Sequence, residues 1–250
     1  MISEPLSSFA VSLLLGFVAA LADVFGGLLL VRTNWEKRYL RYFVALGAGF
    51  MLSTAFLDMV PESFRIGDRW TPALVFGGYC IMQLLEHTLS PHFHFGEETH
   101  REEFLSRHTS DSVVGGLAVH SLFDGVAIAS GFMLSDWLGW VIFIAIFLHK
   151  VPEGFTVASV TLASGRSRRS ALLSASIVAA ATLGGVILIN LLPGWVRVGL
   201  PLSAGVAIYV AATDLVPEVN REPGIRMALV FFAGVLIFLV CTHLAGGLLH

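Results

Sequence analysis

Two pairs of ionisable side chains occur with the same spacing in two neighbouring apolar stretches of the chain. His120 and Asp124 lie in the segment HSLFDG, and His149 and Glu153 lie in the segment HKVPEG. Residues at positions i and i+4 share one face of a helix, so two facing helices would bring two imidazoles and two carboxylates together. This ligand set suits a borderline divalent ion such as Zn²⁺, Fe²⁺ or Mn²⁺. The alternative interpretation is a pair of polar clusters that hydrogen-bond between helices.

A lysine and a proline accompany the second pair. Lys150 lies about 12 residues from either end of its apolar stretch, or roughly 18 Å along a helix, which is farther than a lysine can snorkel. Ionisable groups at this depth of a membrane are costly, so the ammonium needs an internal partner or water. Pro152 has no N–H, and we expect it to free the carbonyl of Leu148 and loosen the helix beside the ligands.

The composition explains why these charges matter. Charged residues make up 13% of the 250 residues and hydrophobic residues 56%, whereas typical soluble proteins are roughly 25% charged. With a mean hydropathy of +0.79, the chain cannot cover its own surface with polar groups, so lipid must be its solvent. This excludes soluble enzymes and nucleic-acid binders, and the net charge of −3 implies no polyanionic partner.

Apolar stretches long enough to cross a bilayer recur eight times, which predicts an all-α membrane protein with one transmembrane domain covering residues 1–250. The many small residues within these stretches favour closely packed helices over a barrel, and their faces would permit a homodimer. A polar loop over 90–111 follows the third span. The spans are predicted at approximately 9–31, 40–60, 70–89, 112–134, 138–163, 170–192, 198–217 and 227–249.

The distribution of basic residues predicts the orientation. Eleven of the fifteen Lys and Arg residues lie at one set of loops and span ends, and only Arg65, Arg69 and Arg197 lie at the other. The side with more Lys and Arg is cytosolic by the positive-inside rule, so both termini face outward and the 90–111 loop faces the cytosol. The short loops are consistent with a prokaryotic inner membrane.

A repeated motif predicts internal symmetry. The sequence D-x-V-P-E ends the second span at Asp58–Glu62 and the seventh span at Asp214–Glu218. These spans cross in opposite directions, which indicates an inverted repeat of spans one to three and six to eight around spans four and five. Asp58 and Glu62 would then form an acidic entrance on the outside, and Asp214 and Glu218 an exit on the cytosolic side. Helix ends with solvated interfacial acids are the alternative.

Two further groups of residues are less specific. The cytosolic loop region contributes His87, His92 and His94, which could collect metal weakly or belong to a solvated acidic connector. Asp23 is alone in the first span, and we expect it to be a satisfied polar contact rather than a ligand.

These residues together resemble the ZIP family of divalent-metal transporters over nearly the whole chain. Members commonly have H-N-x-x-[DE]-G in the fourth span and [HQ]-[ED]-x-P-E/H in the fifth. By this resemblance His120, Asp124, His149 and Glu153 form the first metal site. The segment GAGFML at 47–52 resembles the second span of the family, which implies that Met51 is a weak extra ligand, although a core methionine is the alternative.

Departures from the family pattern concern the second metal. Ser121 stands where many members have Asn, Lys150 where many have an acid, and Ala181 where two-metal members place a bridging glutamate. A second cation beside Lys150 would face a like charge in a poorly screened site. We therefore expect a single bound ion, with the ammonium as counter-charge to Asp124 and Glu153 and Ser121 as a neighbour of the replaced site.

The resemblance implies transport of a divalent transition metal into the cytosol, with Zn²⁺ first and Fe²⁺, Mn²⁺ and Cd²⁺ also compatible with the ligands. No cofactor is expected, and the inverted repeat favours alternating access. The rival class is an intramembrane metal hydrolase, in which Ser121, Glu153 and Lys150 would take catalytic roles. The H-E-x-x-H motif is absent from the sequence. A metal-sensing or structural membrane protein is the third alternative.

Overall fold

The computed structural model describes residues 5–32, 37–89, 107–221 and 224–248, and these parts of the chain are helical with no strand among them. The prediction of an all-α membrane protein is therefore confirmed. The α-helices are α1 Pro5–Arg32, α2 Lys37–Thr54, α3 Val60–Ile66, α4 Thr71–Leu89, α5 Arg107–Leu134, α6 Asp136–Ala163, α7 Arg168–Leu191, α8 Val196–Tyr209, α9 Val216–Arg221 and α10 Arg226–Leu248.

Seven helical segments within the described ranges are long and apolar enough to cross a membrane. The third predicted span forms α4, a helix of 19 residues, which is about 28 Å long at 1.5 Å per residue. It is less apolar than the others because Gln83, Glu86 and His87 lie in its second half. Large side chains such as Phe17 on α1 and Phe232 on α10 are exposed on the surface, as expected where lipid replaces water.

Two π-helical turns lie at the repeated motif. They cover Ala55–Met59, between α2 and α3, and Val210–Leu215, between α8 and α9. Each precedes a motif proline, Pro61 or Pro217, whose ring would clash with the carbonyl four residues earlier in a regular helix. A π-helical turn absorbs the clash without ending the helix.

Several helices extend beyond the predicted spans. The helices of the second and seventh spans continue past residues 60 and 217 to Ile66 and Arg221. The loop predicted over 90–111 ends earlier, because α5 begins at Arg107; polar residues extend a helix past the apolar part by continuing its backbone hydrogen bonds. α6 runs through Pro152 as one continuous helix, and the expectation that this proline loosens the helix beside the ligands stays a prediction.

Within the described ranges, four pairs of helices cross at reciprocal glycines. Where α1 meets α6, Gly26 faces the backbone carbonyl of Val151, and Gly154 faces that of Asp23. A Cβ at either glycine would collide with the facing backbone, so this contact requires the smallest residue. The same construction joins α5 to α7 at Gly125 and Gly185, α2 to α10 at Gly49 and Gly234, and α4 to α8 at Gly78 and Gly205.

These crossings follow the symmetry of the predicted repeat. In that repeat α1 corresponds to α7, α2 to α8 and α4 to α10, with α5 and α6 exchanged. The crossing of α1 with α6 then corresponds to that of α7 with α5, and the crossing of α2 with α10 to that of α8 with α4. The helices α1, α5, α6 and α7 all contact one another, and the two paired motifs lie in the middle of this group.

Candidate metal centre

The two motifs meet at one point, as their spacing predicts. His120 and Asp124 project from α5, and His149 and Glu153 from α6, and each of the four is at most 4% exposed. One ligand atom from each side chain lies within 4.8 Å of all the others. The imidazole rings of His120 and His149 are 5.5 Å apart between centroids. Four ligand atoms at these separations could hold a single metal ion.

The hydrogen bonds of His149 leave the lone pair of its Nε2 available to a cation. Its Nδ1 lies 3.0 Å from the backbone oxygen of Ala145, and because a carbonyl can only accept, Nδ1 must donate. In the neutral ring Nε2 then carries a lone pair, which faces Asp124 Oδ2 at 3.3 Å. Two acceptors that face each other are stabilised when a proton or a metal ion stands between them.

His120 is the least satisfied member of the cluster. Neither of its ring nitrogens has a hydrogen-bond partner among the described residues, although both are buried. Its Nε2 lies 3.3 Å from Asp124 Oδ2. A buried polar group without a partner costs about 1–3 kcal/mol, and a metal bond at Nε2 would remove this cost.

Lys150 closes the cluster on the side of the carboxylates. Its Nζ lies 2.9 Å from Asp124 Oδ2 and 2.6 Å from Glu153 Oε2. It also donates to Ser121 Oγ at 2.7 Å, and that hydroxyl in turn donates to Glu153 Oε1 at 2.6 Å. The ammonium therefore occupies a position between the two carboxylates, where a second cation would meet a like charge.

A cavity of about 50 Å³ is lined by His120, His149 and Glu153 of the cluster and also by Glu86 and Asp214. Since roughly 10–15 Å³ of such volume holds one water molecule, it has room for several. The hydroxyl of Tyr209 donates to Glu86 at 2.8 Å. The candidate exit residue Asp214 thus shares a cavity with the cluster.

The acidic residues of the other motif lie in a separate cavity of about 230 Å³. Asp58, Glu62 and Arg65 line it together with Ser135 at the turn between α5 and α6. The Glu62 carboxylate accepts from the Arg65 guanidinium at 2.5 and 2.6 Å. The same arrangement recurs in the second motif, where Arg221 donates to Glu218 at 3.2 Å. In both motifs the glutamate is partly neutralised by an arginine three residues later.

The remaining predicted site residues are more dispersed. Met51 is buried in the apolar core, one turn from Gly47, where an added Cβ would meet Leu148 of α6. His87 is exposed at the end of α4. His92 and His94 lie outside the described residues.

Sequence reasoning missed two residues near the centre. Asp23 on α1 is fully buried, and its Oδ2 lies 3.6 Å from Lys150 Nζ; neither oxygen has a hydrogen-bond partner among the described residues, so the expectation of a satisfied polar contact is wrong. An acid in the middle of an apolar span was the available signal. Glu86 was overlooked because it falls at the end of the predicted third span, where polar residues are common.

The fold and the site together define a helical membrane protein with a buried cluster of two histidines and two carboxylates that could hold a metal ion. The family profile described as ZIP zinc transporter matches residues 5–115 and 109–242. The chain belongs to the ZIP family of zinc transporters.

Individual relatives are distant. The zinc transporter SLC39A7 of Homo sapiens is 29% identical over 143 residues, which cover 50% of this chain and 30% of that protein. The zinc transporter ZIP9 of Xenopus tropicalis is 24% identical over 244 residues, covering 78% of this chain and 80% of that protein. The chain thus spans less than a third of SLC39A7 but most of ZIP9. These relatives are zinc transporters and not enzymes, so the hydrolase alternative has no support from them.

Proposed function

We propose that this protein transports Zn²⁺ across a membrane through the centre formed by His120, Asp124, His149 and Glu153. The observation that carries the proposal is the convergence of four buried ligand atoms within 4.8 Å. Two imidazoles and two carboxylates are a ligand set that Zn²⁺ accepts, and Fe²⁺, Mn²⁺ and Cd²⁺ are further candidates. The zinc transport named for the relatives supports the choice of zinc.

One ion occupies the centre at a time. Lys150 takes the place of a second cation, and its contacts with Asp124 and Glu153 support this role. Ser121 bridges the ammonium and Glu153. Met51 acts as a weak extra ligand. Binding replaces the hydration shell of the ion but stays weak enough for release.

The ion moves inward by alternating access. It enters past Asp58 and Glu62, reaches the centre, and leaves toward Asp214 and Glu218. His87, His92 and His94 receive it on the cytosolic side. One cavity is lined by residues of the centre and by Asp214, and a separate cavity lies at Asp58, which supports a path with an acidic group on each side of the centre.

The protein lies in the inner or plasma membrane with both termini outside. The distribution of basic residues supports this orientation. A homodimer is compatible with the exposed apolar helix faces, such as that of α10, which carries Leu229, Phe232 and Leu236 at its surface.

Uptake into sealed proteoliposomes tests the proposal. Zn²⁺, Fe²⁺, Mn²⁺ and Cd²⁺ are compared for the wild type, for Asp124→Ala/Glu153→Ala, and for Asp111→Ala, which removes an exposed acid at the start of α5. We expect uptake by the wild type and by Asp111→Ala, with Zn²⁺ preferred, and none by the double variant. Undiminished uptake by the double variant would place the pathway elsewhere, and no uptake by the wild type would contradict the proposed function.

A further inference from the structure

Asp23 is held at the metal centre by the packing of α1 against α6. Its backbone carbonyl faces Gly154, the residue after Glu153, at a crossing that leaves no room for a Cβ. The side chain is fully buried and forms an ion pair with Lys150, with 3.6 Å between Oδ2 and Nζ. This distance exceeds that of a hydrogen bond, and both carboxylate oxygens are unpaired among the described residues.

Lys150 is consequently shared unequally among three carboxylates. It forms close contacts with Asp124 and Glu153, at 2.9 and 2.6 Å, and a looser one with Asp23. The two carboxylates that it contacts closely are also two of the four metal ligands. An ion bound through their oxygens would repel the ammonium strongly at such short range, because charges in a buried site are poorly screened.

When an ion is bound by Asp124 and Glu153, Asp23 is a further anionic partner within reach of the ammonium. A small rotation of the lysine side chain would bring Nζ from 3.6 Å to hydrogen-bond distance of Asp23 Oδ2. A buried charge left without a partner is strongly destabilising. Asp23 is therefore an anionic partner for the ammonium that is not one of the four candidate metal ligands.

The charge balance supports the same assignment. With its three carboxylates ionised, its ammonium charged and both imidazoles neutral, the buried cluster has a charge of −2. One divalent ion makes the cluster neutral. Without the charge of Asp23 the loaded cluster would carry a net +1 in a membrane interior, where uncompensated charge is costly.

We propose that Asp23 is a positioning residue that receives the Lys150 ammonium when a divalent ion binds, and that it sets the charge of the centre to match one such ion. This inference rests on the proposed function, since it assigns Asp23 a part in metal binding at that centre. Asp23 touches Lys150 and acts through it.

Zn²⁺ titration calorimetry on the purified full chain tests the inference with a charge-matched set of variants. Asp23→Asn keeps the shape of the side chain but gives a loaded centre of +1, and Lys150→Met gives −1. The double variant Asp23→Asn/Lys150→Met is neutral again when loaded. We expect Asp23→Asn to raise the Kd for Zn²⁺ at least about tenfold, because an uncompensated charge in a buried site is poorly screened. The Kd of the double variant should return to within about threefold of the wild-type value, because its loaded centre is neutral.

Ser12→Ala is the matched control. Ser12 is buried on the same helix and accepts a hydrogen bond from Asn190 of α7 at 3.3 Å, so its loss disturbs the packing of α1 but not the charge of the centre. Its Kd is expected to equal that of the wild type. Asp23→Asn leaves Lys150 with two carboxylates, so this variant retains a paired ammonium in the fold.

The outcomes separate this inference from the proposed function. If the wild type binds Zn²⁺ and Asp23→Asn binds it equally well, or if the double variant binds more weakly than either single variant, the role of Asp23 is contradicted while the transport proposal stands. If the wild type itself binds no Zn²⁺, the proposed function fails first. Rescue in the double variant supports charge matching, because a purely structural loss would not be restored by removing Lys150.

Discussion

The Nζ atom of Lys150 lies 2.9 Å from Asp124 Oδ2, and this contact joins α6 to α5 at the centre of the helix bundle. Both side chains are almost fully buried. The same carboxylate oxygen is 3.3 Å from Nε2 of each histidine of the cluster. A metal ion bound through this oxygen would therefore compete with the ammonium for it.

Removal of Lys150 is expected to change metal stoichiometry or selectivity. Lys150→Ala and Lys150→Glu leave the carboxylates without their counter-charge, so a second cation can take the position of the ammonium. We expect more than one Zn²⁺ per chain, or a changed order among Zn²⁺, Fe²⁺, Mn²⁺ and Cd²⁺, measured by elemental analysis of the purified protein and by uptake.

The control for this experiment is Arg166→Ala. Arg166 forms an ion pair with Asp111 at 2.7 Å, where Asp111 is exposed, and such pairs contribute only about 0–1 kcal/mol. Stoichiometry and selectivity should stay as in the wild type. If both Lys150 variants also kept one ion per chain and the same metal order, the proposed role of Lys150 would be wrong.

Metal uptake is expected to fall as the external pH is lowered from about 7.5 to 5.5. Imidazoles and carboxylates bind a metal only when deprotonated, so protons compete directly for His120, Asp124, His149 and Glu153. The apparent Kd for Zn²⁺ should rise toward acid pH, and saturating Zn²⁺ should restore most of the uptake. A pH-independent Kd would show that these residues do not bind the ion.

Gly154→Ala is expected to disrupt the crossing of α1 and α6. A Cβ at this position collides with the backbone of Asp23, which cannot rotate away as a side chain would. Such overpacking costs about 1–3 kcal/mol, and we expect a lower melting temperature in detergent together with weaker Zn²⁺ binding. Gly184→Ala is the control, since its Cβ would meet only the Leu122 side chain at an ordinary 3.7 Å.

Equal melting temperatures for the two alanine variants would contradict the tight crossing. If Gly154→Ala were less stable than the wild type but bound Zn²⁺ as tightly, the packing of α1 against α6 would not control the geometry of the metal centre.

Ser121→Ala is expected to destabilise the centre without removing a metal ligand. The hydroxyl joins Lys150 to Glu153 through two short hydrogen bonds, and a hydrogen bond to a charged group contributes about 1.5–3 kcal/mol. Thermal unfolding should therefore begin at a lower temperature than in the wild type. Ser176→Ala is the control, because that exposed serine donates only to Leu172 in its own helix; a similar melting temperature for both variants would contradict the bridging role.

Much of the site could be predicted because its signals are local. The i and i+4 spacing of each motif depends only on helical geometry, and the depth of Lys150 follows from its position in an apolar stretch. The spans were also close to the observed helices, because lipid requires long apolar segments with internally satisfied backbones. Their ends were less accurate at Pro61 and Pro217, since a proline can be absorbed in a π-helical turn as well as end a helix.

Residue type and spacing within one helix are sufficient to predict a helical membrane protein with two matched histidine–carboxylate pairs and a deep lysine. They could not predict that Asp23 reaches Lys150 or that Glu86 shares a cavity with the centre. Both depend on which helices cross and at what level, and that is decided by contacts such as Gly154 against α1, which join residues far apart in the chain.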